Sequence, residues 1–187
     1  MASDLDISAL AAAGWSEADV TWEFEQESAA QLAAVERYAD ASRPWAEALQ
    51  LARAGFADND PRLATSLANH AFALRRKGHP DIAGRLFAEA LRVWDASPRW
   101  IDNLNIESNA RSSLFHLRME VRHRAAYQKT ARLRLHRFGA EGRAAVLALS
   151  NGEKPETSGF SRWKAEKPSI YTDSRKLLAA ALLVAPG

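Results

Sequence analysis

Residues 67–91 read LANHAFALRRKGHPDIAGRLFAEAL, and this stretch decides the fold class. Small residues (Ala71, Ala83, Ala90) stand where two helices must approach closely. Bulky ones (Leu67, Leu74, Phe87, Leu91) stand where they must interlock. Gly78, His79 and Pro80 form the turn between the halves. A helical hairpin of this kind cannot bury its own apolar face, so it requires neighbours in a stacked array.

The chain repeats the pattern at an offset of 42 residues. That shift sets Ala41 under Ala83, Trp45 under Phe87, Ala48 under Ala90 and Leu49 under Leu91. One helix earlier it sets Ala29 under Ala71 and Leu32 under Leu74. Ser16-Glu-Ala-Asp19 has the spacing of a capping box. It predicts a helix to about Tyr38 whose apolar face carries Trp22, Ala29, Leu32, Ala33 and Val35. Pro44, tolerated in a first turn, opens a second helix over residues 45–54, which Gly55 and the Asp58-Asn-Asp-Pro61 run end. Helices are predicted over 62–77 and 80–95, with Ser97-Pro98 closing the unit. A third hairpin is predicted over 99–121 and 123–138, where a shift of 43 aligns Leu114, Leu117, Ala126 and Leu133. After Gly139 comes a short helix over 140–149.

The remainder reads as a loop over 151–172, rich in Gly, Pro, Ser and Lys, and a final helix capped by Asp173 or Ser174. Its residues Leu177, Leu178, Leu182 and Leu183 need burial, which docking on the open end of the stack would supply. The expected organisation is thus a lead over 1–15, a helical repeat domain over 16–150, the loop, and a capping helix over 173–187. The expected fold is all-α: a right-handed stack of about three antiparallel helical hairpins, closed by that C-terminal helix.

With 47% apolar and 26% charged residues in 187, the composition is that of a globular chain. No cysteine is present, which excludes disulfides, thiolate metal sites and cysteine nucleophiles. The N-terminal MASDLDISALAAAGW lacks the basic region of a secretory signal. The longest apolar run, residues 177–184, falls far short of the roughly 20 residues that span a bilayer. The expectation is a soluble cytoplasmic protein without membrane contact, and the Ala- and Arg-rich composition points to a GC-rich bacterial genome.

Charge is polarised along the chain. Residues 1–60 hold twelve acids against Arg37, Arg43 and Arg53, a net −9. In residues 111–143, nine bases (Arg111, Arg118, Arg122, Arg124, Lys129, Arg132, Arg134, Arg137, Arg143) face Glu120 and Glu141, a net +7. Such asymmetry acts on association rather than on fold.

In its order of small and large residues (Leu67, Ala71, Leu74, Gly78, Ala83, Phe87, Ala90, Leu91) the central segment resembles a tetratricopeptide repeat. The 42-residue spacing is closer to the longer-helix variant of kinesin light chains than to the usual 34-residue form, and Asn69 sits where that variant often has asparagine. His70 stands where the family usually has leucine, and Ala71 replaces its usual glycine. The resemblance implies a concave groove that binds a protein or peptide segment without catalysis, as in an adaptor or assembly factor.

By that resemblance the first helix of each pair lines the groove. The candidate partner-binding residues are then Asn69, Phe72 and Arg76 from the middle unit, and Asn109, Ser112, Phe115 and Arg118 from the third. Arginine's fork and asparagine's donor–acceptor pair suit carboxylates and main chain. Trp163, in the phrase Gly159-Phe-Ser-Arg-Trp-Lys164, is a candidate loop anchor. The basic run, with Tyr127 and Phe138, is the alternative: a nucleic-acid surface. The acidic first third opposes that alternative, and no recognition motif accompanies the run. The basic face is therefore read as complementary to the acidic helices or to a second subunit, which permits a homo-oligomer joined through oppositely charged ends. His116, Glu120 and His123 share a helix face with E-x-x-H spacing, but the further carboxylates of a di-iron site are missing and arginines flank it. No metal or cofactor is expected.

Overall fold

The computed structural model describes residues 15–104, 114–155, 176, 177, 180, 181, 183 and 184; for residues 114–124 and Tyr127 it describes the backbone alone. Two of the helices begin on a side chain that satisfies one of their first amides. Ser16 caps α1 (Glu17–Ala34). The Asp19 amide donates to Ser16 Oγ at 3.2 Å and the Asp19 carboxylate accepts from the Ser16 amide at 2.8 Å, so the expected capping box is present. α2 spans Tyr38–Gly55. Asp60 caps α3 (Pro61–Arg76) by accepting from the Arg62 amide at 2.9 Å, with Pro61 in the first turn. α4 (Pro80–Asp102) likewise opens on proline, and α5 runs through Leu114–Ser150. Among the described residues there is no strand, and consecutive helices pack on one another, with α3 also reaching α5.

The 42-residue offset survives at the level of hydrogen bonds. In the α1–α2 turn, Val35 and Arg37 amides donate to the Leu32 carbonyl, and the Glu36 amide donates to Ala33. In the α3–α4 turn, Lys77 and His79 donate to Leu74, and Gly78 to Arg75, which is the same pattern displaced by 42. Gly78 has φ +84°, and its counterpart Glu36 takes φ +59° without glycine's freedom. Ala29, Ala41 and Ala48 are fully buried, as are Ala71, Ala83 and Ala90; Trp45 and Phe87 both fill the core between them.

Four boundaries differ from the sequence reading. α1 ends at Ala34, and Tyr38 opens α2, leaving Pro44 inside that helix rather than in its first turn. Pro98 does not close α4, which continues to Asp102. Its ring leaves the Trp94 carbonyl without the usual amide partner, and Ser97 Oγ donates to that carbonyl at 2.8 Å instead. The third unit is not the expected hairpin, because one 37-residue helix crosses Phe138, Gly139 and Ala140 without a break. Glycine here makes room instead of stopping the helix. A Cβ on Gly142 would lie 2.6 Å from the Trp94 ring, and one on Gly139 would lie 3.0 Å from Ile101 Cδ1. Arg132 then ties the helices together by donating to the Ile101, Asp102 and Leu104 carbonyls that α4 leaves open at its end.

The expected C-terminal helix does not continue to Val184. Lys176 and Leu177 are helical, Ala180 and Ala181 form a turn, and Leu183 and Val184 are irregular. Among the described residues of this segment, Ala180 and Val184 bond to α3 and Lys176 pairs with Asp19 of α1.

Candidate interaction site

From Pro61 to Asn69 every residue of α3 is buried. A helix enclosed all round must pair each polar side chain it carries, because an unpaired buried group costs about 1–3 kcal/mol. Arg62, Thr65, Ser66 and Asn69 recur at helical spacing and form one polar seam along it. Trp22 Nε1 and Gln26 Nε2, both from α1, donate to Ser66 Oγ at 2.7 and 3.1 Å. Ser66 in turn donates to the Arg62 carbonyl at 2.9 Å. Asn69 Nδ2 donates to Gln26 Oε1 at 2.9 Å, leaving its Oδ1 to face the C-terminal segment.

Two side chains of this seam, four residues apart, take hold of main chain. Thr65 Oγ1 donates to the Ala180 carbonyl, and the Val184 amide donates to Asn69 Oδ1 at 2.8 Å. The segment's own side chains at Leu177, Ala180, Ala181 and Val184 are buried. Complete burial of a leucine or valine contributes about 1.5–3 kcal/mol each. The apolar side chains therefore supply adhesion, and Thr65 and Asn69 fix the position of the backbone.

One end of the seam is ionic. Arg62 is bonded to Asp60, at 2.7 Å, and to Asp19, and its guanidinium lies 3.7 Å above the Phe56 ring. Burial pushes the Asp19 carboxyl up, but the Ser16 amide bond and the Arg62 charge outweigh it and hold the pKa below the usual carboxylate value. Burial likewise opposes the charged Arg62, and its bonds to Asp60 and Asp19 prevail, so the guanidinium is held more firmly protonated. Lys176 of the C-terminal segment lies 3.7 Å from Asp19 and 6.0 Å from the Trp15 ring centre. The second carboxylate near Arg62 thereby meets a second cation brought by the segment.

The residues expected to line a groove divide. Asn69, at 0% exposure, and Phe72, at 4%, face the interior rather than solvent. Phe72 packs edge-on against Tyr38 and Trp45, with centroids 5.3 and 6.2 Å apart, and so locks α2 onto α3. Arg76 is exposed and stacks over Tyr38 at 4.5 Å. Phe115 and Arg118 lie on α5, but their side chains, like those of His116, Glu120 and His123, are outside the described residues. Asn109, Ser112 and Trp163 also lie outside them.

The basic run is partly consumed internally. Arg143 pairs with Asp95 at 2.5 Å, His136 with Asp102 at 2.8 Å, and Arg132 caps α4. Lys129, Arg134 and Arg137 remain exposed. Among the described residues no cluster of His, Asp and Glu could hold a metal, and no helix is long and apolar enough to cross a membrane. No protein-family model matches the chain, and neither a curated protein nor a solved structure matches it.

The sequence reading missed Gln26, Arg62, Thr65 and Ser66. Their signal was a polar residue every three or four positions in a segment otherwise made of Leu63, Ala64, Leu67 and Ala68. Polar groups in an apolar helix demand partners, and here the partners are α1 and the C-terminal segment.

Proposed function

We propose that the protein is a non-catalytic interaction module, built on two 42-residue tetratricopeptide-like hairpins. It holds a protein or peptide segment against α1 and α3. The observation that carries this reading is the pair of main-chain bonds from Thr65 and Asn69 to Ala180 and Val184. Side chains that bind backbone accept any segment of compatible shape, and the apolar surface around them selects small and aliphatic side chains. In this arrangement the chain's own C-terminal segment is the occupant, and a partner would present a similar stretch of aliphatic residues and replace it. Tetratricopeptide-like packing is supported by the repeated turn and by the matched burial of the six small-residue positions.

The test uses the full chain carrying Leu177→Asp and Val184→Asp, which undocks the segment, and a fluorescent peptide of wild-type residues 173–187. Saturable binding is expected, weakened by about tenfold or more when Asn69→Leu is added, the scale of one lost buried hydrogen bond. A variant that keeps its helicity and yet binds no peptide would remove the groove reading.

A further inference from the structure

Among the described residues, the first and last helices of the packing series, α1 and α5, each keep one face turned to solvent, and the two faces are complementary. On α1 the core side is Trp22, Gln26, Ala29 and Ala33. The opposite side carries Glu17, Phe24, Glu27, Gln31 and Val35, all exposed, with Phe24 and Val35 each at 65%. On α5 the core side is Ala131, Leu135, Phe138, Ala145 and Leu149. Its opposite side carries Lys129, Leu133, Arg137, Ala140, Ala144 and Leu147, with Leu133 62% exposed. One stripe is acidic around a phenylalanine and a valine, and the other is basic around two leucines and two alanines.

We infer that the α1 face of one molecule docks on the α5 face of a second copy, head to tail. The stripes match in length: Glu17 to Val35 and Lys129 to Leu147 each cover about 27 Å at 1.5 Å per residue. In parallel register Glu17 meets Lys129 and Val35 meets Leu147. Phe24 and Glu27 then fall on the turn carrying Leu133, Arg137 and Ala140, whose alanine leaves room for the ring. Lys129 and Arg137 make no ion pair among the described residues, so their charges are available to the partner. Because the faces differ, the contact is heterologous, and it extends into a chain of molecules unless rotation closes a ring. A second copy supplies both halves of this match by itself, which no third molecule has to do.

The experiment is sedimentation of the intact chain at low ionic strength over a range of concentrations. The wild type should assemble beyond the dimer, and salt should weaken the assembly. Phe24→Ala/Glu27→Gln disables the acidic face, and Leu133→Ala/Arg137→Gln disables the basic face. All four positions are exposed, so helicity should be retained. Each variant alone should associate at least about tenfold more weakly, the scale of removing one interfacial anchor and one charge. Mixing the two should give a heterodimer and nothing larger, since one intact face of each kind remains. A wild type that stays monomeric throughout overturns the inference, as does either variant assembling like wild type, or a mixture that yields no heterodimer.

Discussion

Replacing Glu36 with glycine should stabilise the protein, although it removes a side chain and adds no contact. Glu36 occupies the left-handed region at φ +59°, which costs an L-residue roughly 1–2 kcal/mol. Glycine enters that region freely but gives back roughly 0.5–1 kcal/mol of chain entropy on folding. The net gain is about 0.5–1 kcal/mol, or about 1–4 °C in Tm for a chain of this size. Gly78 supplies the internal standard, since its turn makes the same three main-chain bonds with φ +84°. Gly78→Ala should therefore lose stability by a similar amount, there being no neighbour within 4 Å to clash with or to pack against. Glu36→Ala separates the backbone effect from the removal of one acid in an acidic region, because alanine keeps the strain. Urea unfolding monitored by helicity provides the measurement, with an unchanged m-value as the condition for comparison. If Glu36→Gly is no more stable than Glu36→Ala, the equivalence of the two turns and the strain argued from it are both wrong.

Other changes probe the seams between helices. Gly142→Ala gains about 1 kcal/mol of helix propensity but drives a methyl to 2.6 Å from Trp94, so a net loss of about 1–2 kcal/mol is expected. Gly84→Ala, with nothing within 4 Å, should gain about 1 kcal/mol, and a Trp94→Leu background should erase most of the Gly142→Ala penalty in a thermal-melt cycle. Asn69→Leu leaves Gln26 Oε1 and the Val184 amide without their partner and should cost about 2–4 kcal/mol. Limited trypsin digestion should then cut earlier at Arg175 and Lys176; unchanged cutting would contradict the anchoring role. Burial, with the Lys77 and Arg53 charges, holds the His70 pKa below its ordinary value of 6.5. The unfolded chain thus binds the proton more readily, so the stability from neutral His70 is complete above that value and declines as pH falls below it. A His70→Gln variant should show a shallower loss of urea midpoint across that interval, and an identical slope would refute the assignment.

The central hairpin was legible because its signals are local. Gly78, Pro80 and the apolar spacing of residues 67–91 agree, and α3 and α4 begin or end within a residue of expectation at that turn. Ser16 and Asp19 announced the start of α1 in the same way. The errors arise where a distant contact overrides a local breaker. Gly139 looks like a helix stop, yet with Gly142 it forms the hollow into which Trp94 and Ile101 of α4 fit. Pro98 looks like an end, but Ser97 satisfies the carbonyl that it orphans. Asn69 is expected from the sequence to face a partner across an open groove; it is buried instead, and its Oδ1 accepts from the Val184 amide of the same molecule, a contact between residues too far apart for any local signal to announce.

That last contact has a consequence for biosynthesis. The Thr65 and Asn69 bonds to Ala180 and Val184 join positions 115 residues apart. Closing a loop of this length is entropically expensive and cannot precede the arrival of its far end. While the chain emerges in order, α1 to α3 can collapse around Trp22 and Trp45, but the bond from the Val184 amide to Asn69 Oδ1 cannot form until Val184 has been made. The first hairpins are thus obliged to wait with the seam on α3 incomplete. A chain that stops early, after the helices are complete, would carry that seam open to whatever aliphatic segment or protease meets it first.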